Sequence, residues 1–344
     1  MSSVKYYTDK ELAQAALQSD FQEIVAHVEE GFRAYANRDM IIPEKASQII
    51  NAEIQSRVNC MPCTAFSLGY SGVKLVSVFP DNTLQGKPNV SGMILLSSSE
   101  DGLPVAVLDA GFVTALRTAL VGGIAARFLA IDQPLTIGIL GAGEEAFMHF
   151  FVMAKLFPSL IDCKIASRRA VSEDRFAKSA KKLFSQMNIK CCNSSYEKAA
   201  CGADIIVTAI SGQSPILKAN WVKPGAFYCH VGGIEDEYAV ALKADKIVCD
   251  SWEALKHRGS PTISHMYHDG LLSDDDIYGE LHELVIGEKI GRESEQEINY
   301  FNSIGMAFTD IYLSAFLIKQ CDHFGFGQKL QNDHFSIFEL DTLE

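Results

Sequence analysis

The sequence predicts an α/β protein in which a Rossmann-type, doubly wound parallel sheet is joined to a second, mixed α+β domain. Three observations carry this. The run Leu135-Thr-Ile-Gly-Ile-Leu140 is apolar and β-branched, enters Gly141-x-Gly143-x-x-Ala146, and continues into the helix-forming stretch 147–154. Strand, glycine turn and helix in that order make a dinucleotide fingerprint. Beyond it, apolar runs alternate with helical patterns, as a parallel sheet requires. Before it, short apolar runs are broken by Gly, Pro and Asn, which marks strands joined by turns.

The elements follow in order. Residues 8–38 carry a helical period, with Thr8 as N-cap, Glu11 as its capping-box partner and a break near Ser19-Asp20. Apolar runs at 73–79, 93–96 and 105–108 read as strands of an antiparallel-rich sheet. The span 114–130 is a helix of small and apolar residues that joins the domains. Its Gly122-Gly123 pair costs about 1 kcal/mol per glycine relative to Ala, so close packing against another element is expected. Strands are expected at 135–140, 163–167, 204–209, 226–231 and 246–250, with helices over 144–157 and 172–187. A last apolar helix, about 305–316, returns to the first domain. The expected division is 1–118 with 305–344, and 119–304 for the dinucleotide-binding domain.

Composition narrows the function. Asp and Glu number 43 against 30 Lys and Arg, a net charge of −13, with no basic run; a nucleic-acid surface needs clustered cations, so no nucleic acid is expected. No apolar run reaches the ~20 residues of a bilayer span, so no membrane is expected. The start, Met1-Ser-Ser-Val-Lys-Tyr-Tyr, is not a charged and then apolar leader, and nine irregularly spaced cysteines do not suggest a disulfide framework. The expected compartment is the reducing cytoplasm. Cys60-Met-Pro-Cys63 is a metal half-site or redox pair only in a context that is missing here, so buried thiols and no metal are expected.

At the glycine turn, Gly141 makes the tight bend, Gly143 admits the pyrophosphate and Ala146 packs helix on strand; Ala142 and Glu144 complete the contact, with the diphosphate on the helix N-terminus. The ligand edge is the C-terminal end of the strands. Thr208-Ala209-Ile210-Ser211 and Val231-Gly232 stand on it. His230 beside them is either a nicotinamide neighbour or a structural histidine. After the second strand no acid waits for the ribose hydroxyls. Ser167-Arg168-Arg169 stand there instead and suit a 2′-phosphate, so NADP is favoured over NAD.

Met61-Pro62, Gly72-Val-Lys-Leu-Val with Pro80-Asp-Asn, Leu116-Arg117-Thr118-Ala119, Gly141-Ala-Gly143, Gly202-Ala-Asp204 and Gly291-Arg292-Glu293 through Ser303-Ile-Gly-Met-Ala-Phe-Thr-Asp310 resemble the ornithine cyclodeaminase/μ-crystallin family. The stretches around Lys243–Trp252 and from Leu281 look most like the subgroup that oxidatively cleaves N-(2-amino-2-carboxyethyl)-glutamate to 2,3-diaminopropionate and 2-oxoglutarate. The resemblance implies hydride transfer at a carbon bearing nitrogen, through an imine. It also implies a homodimer whose interface and substrate pocket belong to the first domain, and a cofactor contact at Thr118.

An amino-acid substrate presents a carboxylate, so fixed cations are required. Arg117 and Lys74 are the expected ones, joined by Lys45, which stands where the family usually has an Arg. A proton acceptor is needed as well. Cyclodeaminases carry an Asp directly after Gly-Gly. Here Gly232-Gly233 is followed by Ile234, then Glu235 and Asp236, so Glu235 is the first candidate base, Asp236 the second, and Lys74 a further catalytic group. Either acid alternatively caps the next helix. The alternatives are a ketimine or imine reductase, an ornithine cyclodeaminase, or a non-catalytic NADP(H)-binding protein like μ-crystallin.

Overall fold

The computed structural model describes residues 4–330; the rest of the expected C-terminal segment, 331–344, lies outside the described residues. The chain divides into two compact units. One comprises Met1–Asp20, Met40–Val113 and Asp310–Glu344, the other Phe21–Asp39 and Thr114–Thr309. Residues 21–39, expected with the first domain, therefore belong with the nucleotide-binding unit. The reason is packing: on the Phe21–Ala36 helix Phe32 meets Phe308 edge-on at 5.0 Å, and Glu29 pairs with Arg127.

The first unit is built on a sheet ordered Gln328–Lys329, Lys5–Tyr7, Pro104–Asp109, Val90–Ser98, Tyr70–Val78, Ser56–Ala65, Met40–Ile41, with Ala46–Asn51 also paired to Ser56–Ala65. All pairings are antiparallel except that of Lys5–Tyr7 with Pro104–Asp109. Thr8 forms the capping box with Glu11 and starts the Asp9–Gln18 helix. That helix ends at Ser19, whose N–H and hydroxyl turn back to the Ala15 carbonyl.

The second unit is a parallel sheet ordered Asn188–Cys191, Asp162–Ala166, Thr136–Leu140, Ile205–Thr208, Phe227–His230, Asn299–Asn302, Lys246–Cys249, Gly279–Glu280. The five expected strands are present within a residue or two. Three sheet members went unread: Asn188–Cys191 and Gly279–Glu280 form the two edges, and Asn299–Asn302 lies between two strands that precede it in sequence. They are two to four residues long, and Asn299–Asn302 begins and ends in Asn, so none gives a sustained apolar run.

The Gly122-Gly123 pair lies where close packing was expected. On the Gly111–Leu129 helix a side-chain carbon at Gly122 would meet Cys229 Sγ at 2.9 Å and His149 at 3.3 Å, and one at Gly123 would meet Val152 and Leu156. The glycines let this helix seat on Glu144–Leu156 and the strand behind it. The Gly111–Leu129 helix has the length and hydropathy of a bilayer span, although its charged and polar residues interrupt any continuous apolar run, and 67% of that window is buried inside the protein.

Candidate active site

The glycine turn follows Thr136–Leu140. Gly141 has φ +134°, and a side-chain carbon there would collide with the Ala209 carbonyl oxygen, so only glycine fits. Ala146 is fully buried against it. Gly143 caps Glu144–Leu156 in extended conformation, and nothing lies within 4 Å of where its side chain would project. The opening faces the N–H groups of the first helical turn, which have no intrahelical partner. An unobstructed glycine before orphaned donors fits a dinucleotide diphosphate. Ala142 is half-buried and Glu144 exposed.

At the end of Asp162–Ala166, Ser167 is buried; its hydroxyl donates to the Arg169 carbonyl (2.9 Å) and its N–H to Glu173 (2.8 Å). Glu173, fully buried, also accepts from the N–H groups of Asn193 and Ser194. The nearest acid is thus committed to the backbone of two strand ends. Arg168 and Arg169 are exposed.

Glu235 organises the next two strand ends. Its carboxylate is fully buried and accepts four hydrogen bonds, from the Thr208 hydroxyl (2.7 Å) and the N–H groups of Ile210 (2.7 Å), Gly232 (2.8 Å) and Val231 (3.2 Å). All four donors lie on the segments expected to line the cofactor. The first candidate base is therefore engaged in fixing that edge. Ala209 bonds back to the Leu140 carbonyl, and Ser211 is exposed.

Asp236 faces inward, to a different cluster. Its Oδ1 lies 2.9 Å from His230 Nδ1, whose Nε2 is 2.7 Å from the Gly233 carbonyl. Both ring nitrogens face acceptors, the pattern of an imidazolium. Burial draws the His230 proton affinity down, but Asp236, Glu235 and the Gly233 carbonyl outweigh it and hold the group above its ordinary value. The Tyr300 hydroxyl is 2.9 Å from His230 Nδ1, and burial pushes the phenols of Tyr228 and Tyr300 well up, so both stay protonated. His230, an open reading between nicotinamide neighbour and core histidine, is fully buried in this network.

Arg117, on the Gly111–Leu129 helix, is 7% exposed. Its guanidinium lies against Gly305, where φ is +82° and a side-chain carbon would sit 2.7 Å from Nη1. The turn that brings Gly305 there is tied to Asp250, a buried carboxylate accepting from the Ser303 hydroxyl and the N–H groups of Ile304 and Gly305, each at 2.8 Å. Burial pushes the Asp250 carboxyl up, against those donors and the Arg117 charge. Thr118, in the helix beside Arg117, gives its hydroxyl proton to the Thr114 carbonyl.

In the other unit Lys74 and Asp310 form an ion pair of 2.6 Å with no exposure on either side. Lys74 belongs to Tyr70–Val78 and stands opposite Met61. Lys45 is half-buried, one residue before Ala46, which pairs with Cys60. Cys60 and Cys63 lie three apart on one strand and so point to opposite faces, which rules out a C-x-x-C chelate. Burial, with the Asp310 charge, pushes the Cys63 thiol up to about 12.

Sequence reasoning passed over Glu173, Asp250 and Asp310 as site residues. Asp310 had a signal, because it closes the Ser303…Asp310 stretch. Arg292, in the Gly291-Arg292-Glu293 stretch, is structural: it donates to the carbonyls of Leu129 (2.8 Å) and Glu297 (2.6 Å) and so closes the end of the Gly111–Leu129 helix. It borders a cavity of about 650 Å³ before the strand N-termini, the end away from the glycine turn, where Lys223 is likewise committed to Asp204.

A model of the ornithine cyclodeaminase/mu-crystallin family matches residues 10–321. The chain belongs to this family. It is 31% identical to the alanine dehydrogenase of Archaeoglobus fulgidus, over 90% of this chain and 93% of that one. To the N-((2S)-2-amino-2-carboxyethyl)-L-glutamate dehydrogenase of Staphylococcus aureus it is 27% identical, with the same coverage. The solved Δ1-pyrroline-2-carboxylate reductase of Thermococcus litoralis, in complex with NADH and L-proline, superposes with a TM-score of 0.88 at 26% identity, covering 95% of this chain and all of that one.

Proposed function

We propose that this family member is an NAD(P)-dependent oxidoreductase that oxidises the C–N bond of an N-linked amino-acid adduct, releasing 2,3-diaminopropionate and a 2-oxo acid. The observation that carries the reading is at Gly232-Gly233. Ile234 follows, and Glu235 is sealed by four donors. An acid set to drive the substrate's own second amine onto an imine, as cyclisation of ornithine needs, is absent from that place. The relative from Staphylococcus aureus, named for the adduct, agrees with this reading.

The secondary amine loses a hydride from carbon and a proton from nitrogen, and water adds to the resulting imine. The carbinolamine then breaks its C–N bond to give a primary amine and a carbonyl. The nicotinamide, when bound, takes the hydride. In this proposal the turn at Gly141–Gly143 and the segments 208–211 and 231–232 hold it, and Glu235 keeps those segments in place. Arg117, Lys74 and Lys45 are the groups proposed for the substrate carboxylate. Lys74 Nζ holds the migrating proton and Asp310 keeps that nitrogen oriented. Arg168 and Arg169 are exposed and the buried acid that follows, Glu173, is taken up by backbone N–H groups, which favours NADP. A homodimer is part of the reading: Leu75 (49% exposed) and its cross-strand partner Met93 (51%) form an apolar patch on the sheet face opposite Lys74.

The same groups run the step backwards in an imine reductase, which the reductase named above favours. The test is the near-ultraviolet absorbance of the reduced nicotinamide, with N-(2-amino-2-carboxyethyl)-glutamate, ornithine or a cyclic imine. Reduction with the adduct supports oxidation. Consumption of NAD(P)H with the imine alone overturns it for the reductase.

A further inference from the structure

The face of the first unit's sheet that carries Lys74 also carries Arg57. In antiparallel pairs directly opposed residues share a face, and alternation puts every second residue there. Met61 opposes Lys74, Asn59 opposes Val76, and Arg57 opposes Val78; on the other side Ser47 opposes Asn59 and Ile49 opposes Arg57. Arg57 is therefore on the Lys74 face, on the neighbouring strand and four residues from Met61, about 13 Å along the strand direction at ~3.3 Å per residue.

Its surroundings are unusual for a cation in so acidic a chain. Nη1 donates to the Gln55 carbonyl at 2.9 Å, while Nε is buried with no hydrogen-bond partner among the described residues. No carboxylate among the described residues pairs with Arg57; its cross-strand neighbours are Ile49 and Val78. Burial alone draws its guanidinium down. A half-buried charge left without a counter-ion is costly unless an anion arrives. The planar fork of Arg suits a carboxylate.

We propose that Arg57 is a specificity-determining residue that recognises a second, distal carboxylate of the substrate, so that the 2-oxo acid half is a dicarboxylate. Two long side chains on one face, Lys74 and Arg57, then read the two ends of one extended dianion. This rests on the adduct reading above.

The test is calorimetric binding of 2-oxoglutarate and of 2-oxopentanoate, which lacks the distal carboxylate, to the full chain saturated with reduced cofactor. It needs no turnover, so it stands apart from the failure of the adduct reading. The parent should prefer 2-oxoglutarate by roughly ten- to a hundredfold, the range of one charge-assisted contact. Arg57→Gln should bring the ratio near one and leave 2-oxopentanoate unchanged, and Arg57→Lys should restore part of it. Both variants are checked for the parent's circular dichroism and thermal midpoint. Equal binding of the two acids by the parent, or an unchanged ratio in Arg57→Gln, overturns the proposal. So does a change of oligomeric state in Arg57→Gln with the ratio intact, which would assign Arg57 to a second copy of the chain.

Discussion

Gly305 leaves room for the Arg117 guanidinium. Its φ is +82°, and a side-chain carbon at this position would lie 2.7 Å from Nη1, so any other residue both strains the backbone and displaces the cation. Gly305→Ala should therefore raise KM for the amino-acid substrate by roughly ten- to a hundredfold, the worth of one charge-assisted contact, and leave cofactor affinity unchanged. Steady-state kinetics with a fluorescence titration of the cofactor separate the two. An unchanged KM would remove Arg117 from substrate binding.

Glu235 gives a sharper contrast between a base and a positioning group. Glu235→Ala strands four buried donors at about 1–3 kcal/mol each, so a fall in stability of several kcal/mol is expected in chemical denaturation. Glu235→Gln is the informative variant. It keeps the shape but puts an NH2 against donors, so cofactor affinity should drop with the stability. Loss of kcat with unchanged cofactor affinity and unchanged stability would make Glu235 the base after all.

Much of this was legible in the sequence and some was not, for definable reasons. The glycine turn could be read because its requirements are local: a backbone bend at Gly141 and open space at Gly143. Arg117 and Lys74 could be singled out because a charge amid apolar residues is conspicuous. The role of Glu235 could not be read, because its partners stand 25–27 residues away at Thr208 and Ile210 and only the sheet order brings them together. Asp250 was hidden for the same reason, since the turn it holds at Ser303–Gly305 lies over fifty residues on. The Phe21–Ala36 helix was assigned to the wrong neighbour because amphipathicity gives a buried face and not its partner.

The His230–Asp236 pair predicts a pH dependence. The folded-state proton affinity of His230 is raised above its ordinary value, ~6.5 for an unfolded chain. Its contribution to stability is then fully present below that pH and is lost as pH rises through the folded value. The thermal midpoint of the parent, scanned from mildly acidic to mildly alkaline pH, should fall more steeply above neutrality than that of His230→Gln. Parallel curves would show that the histidine is neutral in the fold.

Cofactor choice is tested at the second strand. Replacing Arg168 and Arg169 together by Ala should weaken NADP binding roughly ten- to a hundredfold, the worth of one or two charge-assisted contacts, and leave NAD binding within a factor of about two. Equal effects on both would mean that the arginines only face solvent.

The central claim is net oxidation of a secondary amine with cleavage of its C–N bond. The most direct measurement is the stoichiometry of products from N-(2-amino-2-carboxyethyl)-glutamate and oxidised cofactor. One reduced nicotinamide should appear for each 2,3-diaminopropionate and each 2-oxo acid. Proline and ammonia formed from ornithine, with no net change in the cofactor and no products from the adduct, would contradict it.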